Sequence, residues 1–243
     1  MTNLPWIMVE DYKYPTGWIG YEQQEARARA YCELAERGQI LFFRELPFNL
    51  PAEDQQFLRE QEWTELRLHK NTLGRGALNA MKSGLRAARA PFVLITMGDA
   101  SDDPADIDPM YRLASAGADV VAGSRYMSGG HQVGGPLLKR SMSRAAGLSL
   151  HWVGGLPIHD ATSNFRLYSK RLLNQVTIES KGGFELGLEL TVKAYRLGLR
   201  VAEVPTTWRD RTAGQSRFKL WEWLPRYLHW YWRGIGGRFA AKG

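Results

Sequence analysis

Three carboxylates fall within five residues in the segment Ile95-Thr96-Met97-Gly98-Asp99-Ala100-Ser101-Asp102-Asp103-Pro104. An apolar run feeds a glycine and then Asp99, Asp102 and Asp103. Hard cations such as Mg²⁺ or Mn²⁺ take oxygen ligands, commonly one or two carboxylates together with substrate phosphates. Asp99 and Asp102 are the candidate metal ligands. The same letters also fit a helix start. Asp102 or Asp103, standing before Pro104, would cap a helix and complement its dipole. Both roles can hold at once.

Cationic groups follow at intervals. Val120-Val121-Ala122-Gly123-Ser124-Arg125-Tyr126 reads as a strand ending in an arginine. Gly129, Gly130, Gly134 and Gly135 come next, which suits a loop approaching a ligand closely. Lys139, Arg140 and Arg144 lie beyond it. Arginine meets phosphate as a bidentate fork, and a solvated helix face is the plain alternative, preferred for Arg144. Asp160, in His159-Asp160-Ala161-Thr162-Ser163-Asn164-Phe165-Arg166, can bind hydroxyls, orient Arg166 or form a turn. His151 and His159 read as structural. Arg209 to Arg217 is a polar loop with Gly214 and three arginines, Arg209, Arg211 and Arg217. It is a phosphate clamp or a basic solvated loop.

These groups need a scaffold. Leu4–Val9, Gln39–Phe43, Thr64–His69 and Pro91–Met97 read as strands, with helices at 21–37, 52–62 and 73–89 between them. Strand–helix units in a row predict a mostly parallel sheet flanked by helices. In such sheets ligands sit beyond the carboxyl ends of strands, where the acidic turn falls. Later elements are a strand at 119–125, a helix at 136–150, a short strand at 164–168, a helix at 184–197 and a strand at 200–205.

The chain has 243 residues and a net charge of +7. Its length fits one large domain. The single cysteine, Cys32, excludes an internal disulfide and a cysteine zinc cluster. The amino-terminal stretch does not read as a signal peptide, and no run of about 18 apolar residues predicts a spanning helix. From Trp208 to Gly243 the chain carries eight Lys/Arg, two acids and five of its nine tryptophans. Lys219, Glu222, Arg226, His229 and Arg233 share one helical face, while Leu220, Trp223, Leu224, Tyr227, Trp230 and Tyr231 fill another. An apolar arc with Trp and Tyr, bordered by bases, suits a bilayer interface. Docking on the protein's own core, or at a dimer contact, is the alternative. Pro225 predicts two short helices. Charge concentrated in an amphipathic tail argues against a nucleic-acid partner.

Taken in order, these strings resemble the family 2 glycosyltransferases, most closely the dolichyl- or polyprenyl-phosphate mannose synthase branch. The resemblance is carried by Asn71-Thr72-Leu73-Gly74-Arg75-Gly76, Ala77 and Gly84, Asp99, Gly123-Ser124-Arg125-Tyr126 and Gly129-Gly130. It continues through Asp160-Ala161-Thr162-Ser163-Asn164-Phe165-Arg166, Glu203-Val204-Pro205, and Arg211 with Gly214, Ser216 and Arg217. It implies a GT-A (Rossmann-like) fold over 1–218 and an amphipathic membrane-interface tail over 219–243. It implies inverting transfer of a hexose, mannose or glucose, from a nucleotide-sugar to a polyprenyl or dolichyl phosphate. The enzyme would lie at the cytoplasmic face of a membrane as a peripheral protein. Asp99, Arg125 and Arg211 become the expected catalytic residues. Donor contacts are expected at Glu10, Asp11, Glu45, Gly74 and Asp99. Acceptor-phosphate contacts are expected at Arg125, Lys139, Arg140, Arg211 and Arg217, with Asp160 and Arg166 close by. Mg²⁺ or Mn²⁺ is the expected cofactor on Asp99 and Asp102, although Met97 stands where the family has its first acid. The opening strands lack the family's letters; Ile7–Asp11 and Ile40–Glu45 take their places by order and spacing. A phosphate monoester is already a competent nucleophile, so no general base is expected. A non-catalytic relative that only binds a nucleotide or lipid head group is the rival from another class. A glycosyltransferase with a different acceptor is another.

Overall fold

The computed structural model describes residues 6–9, 41–44, 67–68, 73–74, 76–96, 101–210 and 220–240. Numbered over these residues, the strands are β1 (Trp6–Val9), β2 (Leu41–Arg44), β3 (Arg67–Leu68), β4 (Phe92–Thr96), β5 (Val120–Ser124), β6 (His131–Val133), β7 (Arg166–Ser169), β8 (Val201–Pro205) and β9 (Thr207–Arg209). The helices are α1 (Ala77–Ala87), α2 (Ile107–Ser115), α3 (Leu137–Trp152), α4 (Lys170–Gln175), α5 (Leu186–Arg196) and α6 (Leu220–Ala240). The helices expected at 21–37 and 52–62 lie outside the described residues.

One sheet holds seven strands in the order β3-β2-β1-β4-β7-β5-β8. β1 pairs in parallel with β2 and β4, β2 with β3, and β5 with β8. Val9 stands opposite Thr96, so the chain leaves β1 and β4 side by side at the carboxyl edge. That is the point where strand order reverses and where α/β sheets hold ligands. β7 runs antiparallel to both neighbours. Its direction is not written in its own letters. The chain from 125 to 165 stays on the carboxyl side of the sheet, so β7 must enter from that side. Two short elements missed from sequence, β6 and β9, form a separate parallel ribbon above this edge.

The sheet is covered on both faces, which is why β4 and β5 are continuously apolar. Val93, Ile95, Val120, Ala122 and Tyr168 turn to one core, with Leu78, Met81 and Leu85 of α1. Leu94, Val121, Leu167 and Val204 turn to the other, with Ile107, Met110 and Ala114 of α2. The helix residues recur at i, i+3 and i+7 and the strand residues alternate, as the two periods require.

The tail forms one helix with Pro225 inside it, not two short helices. Pro225 lies in the second turn and removes one backbone donor. Downstream, Trp230 is 3% exposed in the main core, with Tyr227, Tyr231 and Ile235 packed against it. Lys193 and Arg233 lie 5.0 and 5.1 Å from the Trp230 ring centroid. The inner side of the apolar arc is therefore docked on the protein. Gly147 lets α3 press onto the loop before β7, since a Cβ there would collide with the His159 carbonyl. Gly147→Ala is expected to destabilise the fold by about 1–3 kcal/mol in urea unfolding. An unchanged midpoint would mean that α3 can shift freely.

Candidate functional site

The carboxyl edge of the sheet gathers the chemistry. Asp102 follows β4, Arg125 follows β5, Thr206 follows β8, and β7 begins at Arg166 beside Ile95 and Ala122. A strap closes over them. Thr206 N–H donates to the Ser124 carbonyl at 3.0 Å, and His131 N–H donates to the Thr206 carbonyl at 2.9 Å. Arg209 N–H donates to the Ser101 carbonyl at 3.0 Å, and Asp210 N–H to the Val133 carbonyl at 2.8 Å. Thr206 Oγ1 donates to Asp106 Oδ2 at 2.5 Å. The segment 206–210 thus ties the glycine-rich loop to the acidic turn. Gly130 is required there, because a side chain would strike the Ser124 and Arg125 backbone.

Arg125 and Asp160 form the centre. Arg125 Nε and Nη2 donate to the two carboxylate oxygens at 2.6 and 3.0 Å. The Arg125 backbone N–H adds a third bond at 3.2 Å. Thr162 and Ser163 N–H groups donate to Asp160 Oδ1 at 3.1 Å each, closing a turn. Nη2 also donates to Thr162 Oγ1 at 2.8 Å and Ser143 Oγ at 3.3 Å. Tyr126 and Trp208 present their rings to the guanidinium at 4.9 and 5.9 Å. The Asp160 side chain is fully buried and that of Arg125 is 12% exposed. Burial opposes the Asp160 charge, but Arg125 outweighs it and holds the pKa down at about 2. Burial likewise opposes the Arg125 charge, and Asp160 outweighs it and raises the arginine's pKa. Among the described residues Arg125 Nη1 donates to none.

Asp160 therefore orients Arg125 through its carboxylate. Its backbone carbonyl accepts from Arg166 Nη2 at 2.6 Å, and the Arg166 charge also helps to hold the Asp160 pKa down. Arg166 is fully buried and also donates to the Ser163 carbonyl at 2.7 Å and the Gly187 carbonyl at 3.2 Å. It fastens the 160–163 loop to α5. Lys139 and Arg140 sit half-buried on the first turn of α3, and the Arg140 charge acts on Tyr126. Tyr126 Oη donates toward Ser143 Oγ at 2.9 Å or Gln132 Oε1 at 3.1 Å. Ser143 and Thr162 hydroxyls are also hydrogen-bonded to each other. Ser143 and Trp208 were not singled out as site residues in the sequence, and Tyr126 figured only in the string Gly123-Ser124-Arg125-Tyr126. The one available signal was that Ser143 falls three residues after Arg140, on the same helical face.

The acidic turn divides its roles. Asp103 caps the turn at Pro104, accepting from Ala105 N–H at 3.1 Å. Asp102 is 3% exposed and accepts from Thr96 Oγ1 at 3.2 Å. Its charge is felt at Arg125. Gly74 is exposed before α1, with the positive φ of +102° that glycine accommodates. His151 and His159 stack at 4.0 Å, and His159 pairs with Glu203. Glu10, Asp11, Glu45, Asp99, Arg211 and Arg217 lie outside the described residues. Among the described residues no three acids or histidines cluster as a metal site.

The profile of glycosyl transferase family 2 matches residues 53–177. Polyprenol monophosphomannose synthase of Mycolicibacterium smegmatis is 32% identical over 185 residues, covering 73% of this chain and 68% of that protein. Undecaprenyl-phosphate mannosyltransferase of Micrococcus luteus is 35% identical over 158 residues, covering 62% of this chain and 63% of that protein. The chain thus spans about two thirds of the length of these relatives. Glucosyl-3-phosphoglycerate synthase of Mycobacterium tuberculosis, in complex with UDP, matches with a TM-score of 0.60 at 13% identity, over 96% of this chain and 80% of that one. A second structure of that enzyme, with Mn²⁺, UDP and phosphoglyceric acid, gives 0.53 at 15% identity, over 98% and 78%. The shared feature is the fold, a GT-A α/β sheet flanked by helices.

Stability supplied by the Arg125–Asp160 pair is complete above the ordinary carboxylate value of 3.8 and is lost as the pH falls through about 2. Asp160→Asn is expected to lose this acid sensitivity and to unfold about 3 kcal/mol more easily at neutral pH. Urea titrations at several pH values measure both, and a parallel pH dependence in the two proteins would exclude the pairing.

Proposed function

The chain belongs to glycosyl transferase family 2, and on that premise we propose that it moves a hexose from a nucleotide-sugar to a polyprenyl phosphate at a membrane surface. That it is a glycosyltransferase follows from the family. Mannose is the hexose named for both relatives. The observation that carries the acceptor assignment is Arg125, locked on one edge by Asp160 with Nη1 donating to none of the described residues. A guanidinium fixed in this way can meet a phosphate without reorganising. Lys139 and Arg140 lie on the first turn of the helix that also brings Ser143 to Arg125. Arg211 and Arg217 follow the strap directly in sequence. All four are assigned to the same anion.

In the reaction an oxygen of the acceptor phosphate attacks the anomeric carbon and forms the new C–O bond. The bond from that carbon to the nucleoside diphosphate breaks, and the diphosphate leaves with the electron pair. The configuration inverts. The acceptor oxygen is anionic near neutral pH, so no residue has to remove a proton. Arg125 orients the attacking phosphate. Glu10, Asp11, Glu45 and Gly74 are assigned to the donor, by their sequence positions after β1, after β2 and before α1.

A divalent ion fits the donor side. Asp102 supplies a buried carboxylate beside the end of β4, and Asp99 lies three residues before it in sequence. Two carboxylates with a diphosphate make an all-oxygen set suited to Mg²⁺ or Mn²⁺. When bound, such an ion offsets the charge of the departing diphosphate. Mn²⁺ and UDP occur together in the structural neighbour, despite its distant sequence.

A polyprenyl phosphate keeps its phosphate at the head-group level, so the enzyme works as a peripheral protein, at the cytoplasmic face. Among the described residues no helix is long and apolar enough to cross a membrane. The 1–218 segment is assigned to transfer and the 219–243 tail to the interface. Transfer should be assayed with a panel of nucleotide-sugars and a detergent-dispersed polyprenyl phosphate, with and without Mg²⁺ or Mn²⁺. Hexosyl polyprenyl phosphate is the expected product. Asp99→Ala is expected to abolish its formation without shifting the unfolding midpoint. No transfer from any donor, or full activity after Asp99→Ala, would sink the proposal.

A further inference from the structure

We infer that Glu203, on β8, is a positioning residue that aims Arg125 through His159 and Asp160. Both of its carboxylate oxygens go to His159, the residue before Asp160. Oε2 accepts from the His159 backbone N–H at 2.8 Å, and Oε1 accepts from the ring Nδ1. The Glu203 side chain is 8% exposed. A carboxylate this buried needs donors, and a single residue supplies two of them. The main chain and the ring plane of His159 are fixed together.

Strand register explains why the effect reaches Arg125. In the parallel pairing of β8 with β5, Glu203 lies opposite Ala122 and Pro205 opposite Ser124. Thr206, the next residue, donates its N–H to the Ser124 carbonyl at 3.0 Å. One stretch of chain therefore grips the residue before each partner of the buried pair: Ser124 before Arg125, and His159 before Asp160. The two grips stand three residues apart, about 10 Å along a strand. Between them the Asp160 carboxylate meets Arg125 Nε and Nη2 at 2.6 and 3.0 Å.

His159 is held from other directions as well. Its ring stacks on that of His151, with centroids 4.0 Å apart. His151 Nδ1 in turn donates to the Leu156 carbonyl at 2.9 Å. The His159 carbonyl abuts Gly147 of α3, where a Cβ would collide with it. Arg166 holds the carbonyls of Asp160 and Ser163. These anchors use backbone atoms and the His159 ring, so the Asp160 carboxylate is kept for Arg125 and for its own turn. Glu203 is the anchor on the strand that leads into the strap, so its reach sets how Asp160 stands against Arg125.

The consequence for transfer rests on the acceptor reading, and one arm of the test needs neither donor nor acceptor. Two variants of the full chain separate reach from charge. Glu203→Gln keeps the reach and both hydrogen bonds, with its amide N–H donating to an unprotonated Nδ1. Glu203→Asp keeps the charge but is one carbon shorter, about 1.5 Å, which takes an oxygen out of hydrogen-bond range. Both should give the parent's circular dichroism spectrum. Hydrogen exchange at the Arg125 Nε–H is followed by heteronuclear NMR, the signal being identified by its loss in Arg125→Lys. It is expected to speed up about tenfold in Glu203→Asp and to stay within about twofold of the parent in Glu203→Gln. The Arg171 Nε–H, bonded to Asp119 at 2.8 Å at the other end of β5, should change in neither. In transfer assays Glu203→Asp should raise the KM for polyprenyl phosphate about tenfold and leave the donor KM unchanged. Unchanged exchange in Glu203→Asp, equal effects of the two variants, or a change shared by Arg171 would overturn the inference. So would a donor KM that rises with the acceptor KM. Exchange that follows reach, in a protein showing no transfer, would uphold the positioning of Arg125 and reject the acceptor.

Discussion

A guanidinium and a carboxylate buried together at the end of a β-strand are expensive unless each finds enough partners. Arg125 and Asp160 meet that condition. The carboxylate accepts from the arginine side chain, the arginine backbone and two further N–H groups of its own turn. The arginine reaches two hydroxyls and stands near two aromatic rings. These partners come from several separate parts of the chain. The pair therefore holds β5, the loop before β7 and α3 in one arrangement. Arg166 extends the same network to α5 through carbonyls of the loop. Removing either charge would strand the other, so the site and the fold around it stand or fall together.

The sheet supplies the setting for that pair. Three parallel strands and β4 form the half that leads to the acidic turn, while β5 and β8 carry the basic half. β7 sits between them in reverse and brings the Asp160 loop to the edge where β4 and β5 end. The β6–β9 ribbon then bridges the two halves by backbone bonds, from Ser101 on one side to Val133 on the other. Backbone bonds place few demands on side chains. That explains how a structural neighbour at 13% identity keeps the fold over most of the chain.

α3 and α6 are amphipathic in an unusual sense, since each has an apolar inner side and apolar residues outside. Burying the inner side is what positions Ser143 and fixes the tail. On the outer side Leu137, Leu138, Leu228 and Trp232 are exposed.

Local letters determined a good deal of this protein. The helical period of Leu78, Met81 and Leu85, the continuous runs in β4 and β5, and the order of Asp99, Arg125 and Asp160 were readable as they stood, because propensity and period act over a few residues. So was the concentration of charge and tryptophan in the tail. Other features waited on the tertiary structure. Asp102 and Asp103 were equal candidates for the cap, and only the burial of Asp102 beside Thr96 separated them. The partner of Arg125 lies thirty-five residues away, in a loop whose own letters spell a turn. The direction of β7 depends on where the preceding chain is held, and the inward side of α6 depends on which core is there to receive it. Hydrogen bonds and burial between distant segments are properties of packing, and no local pattern encodes them.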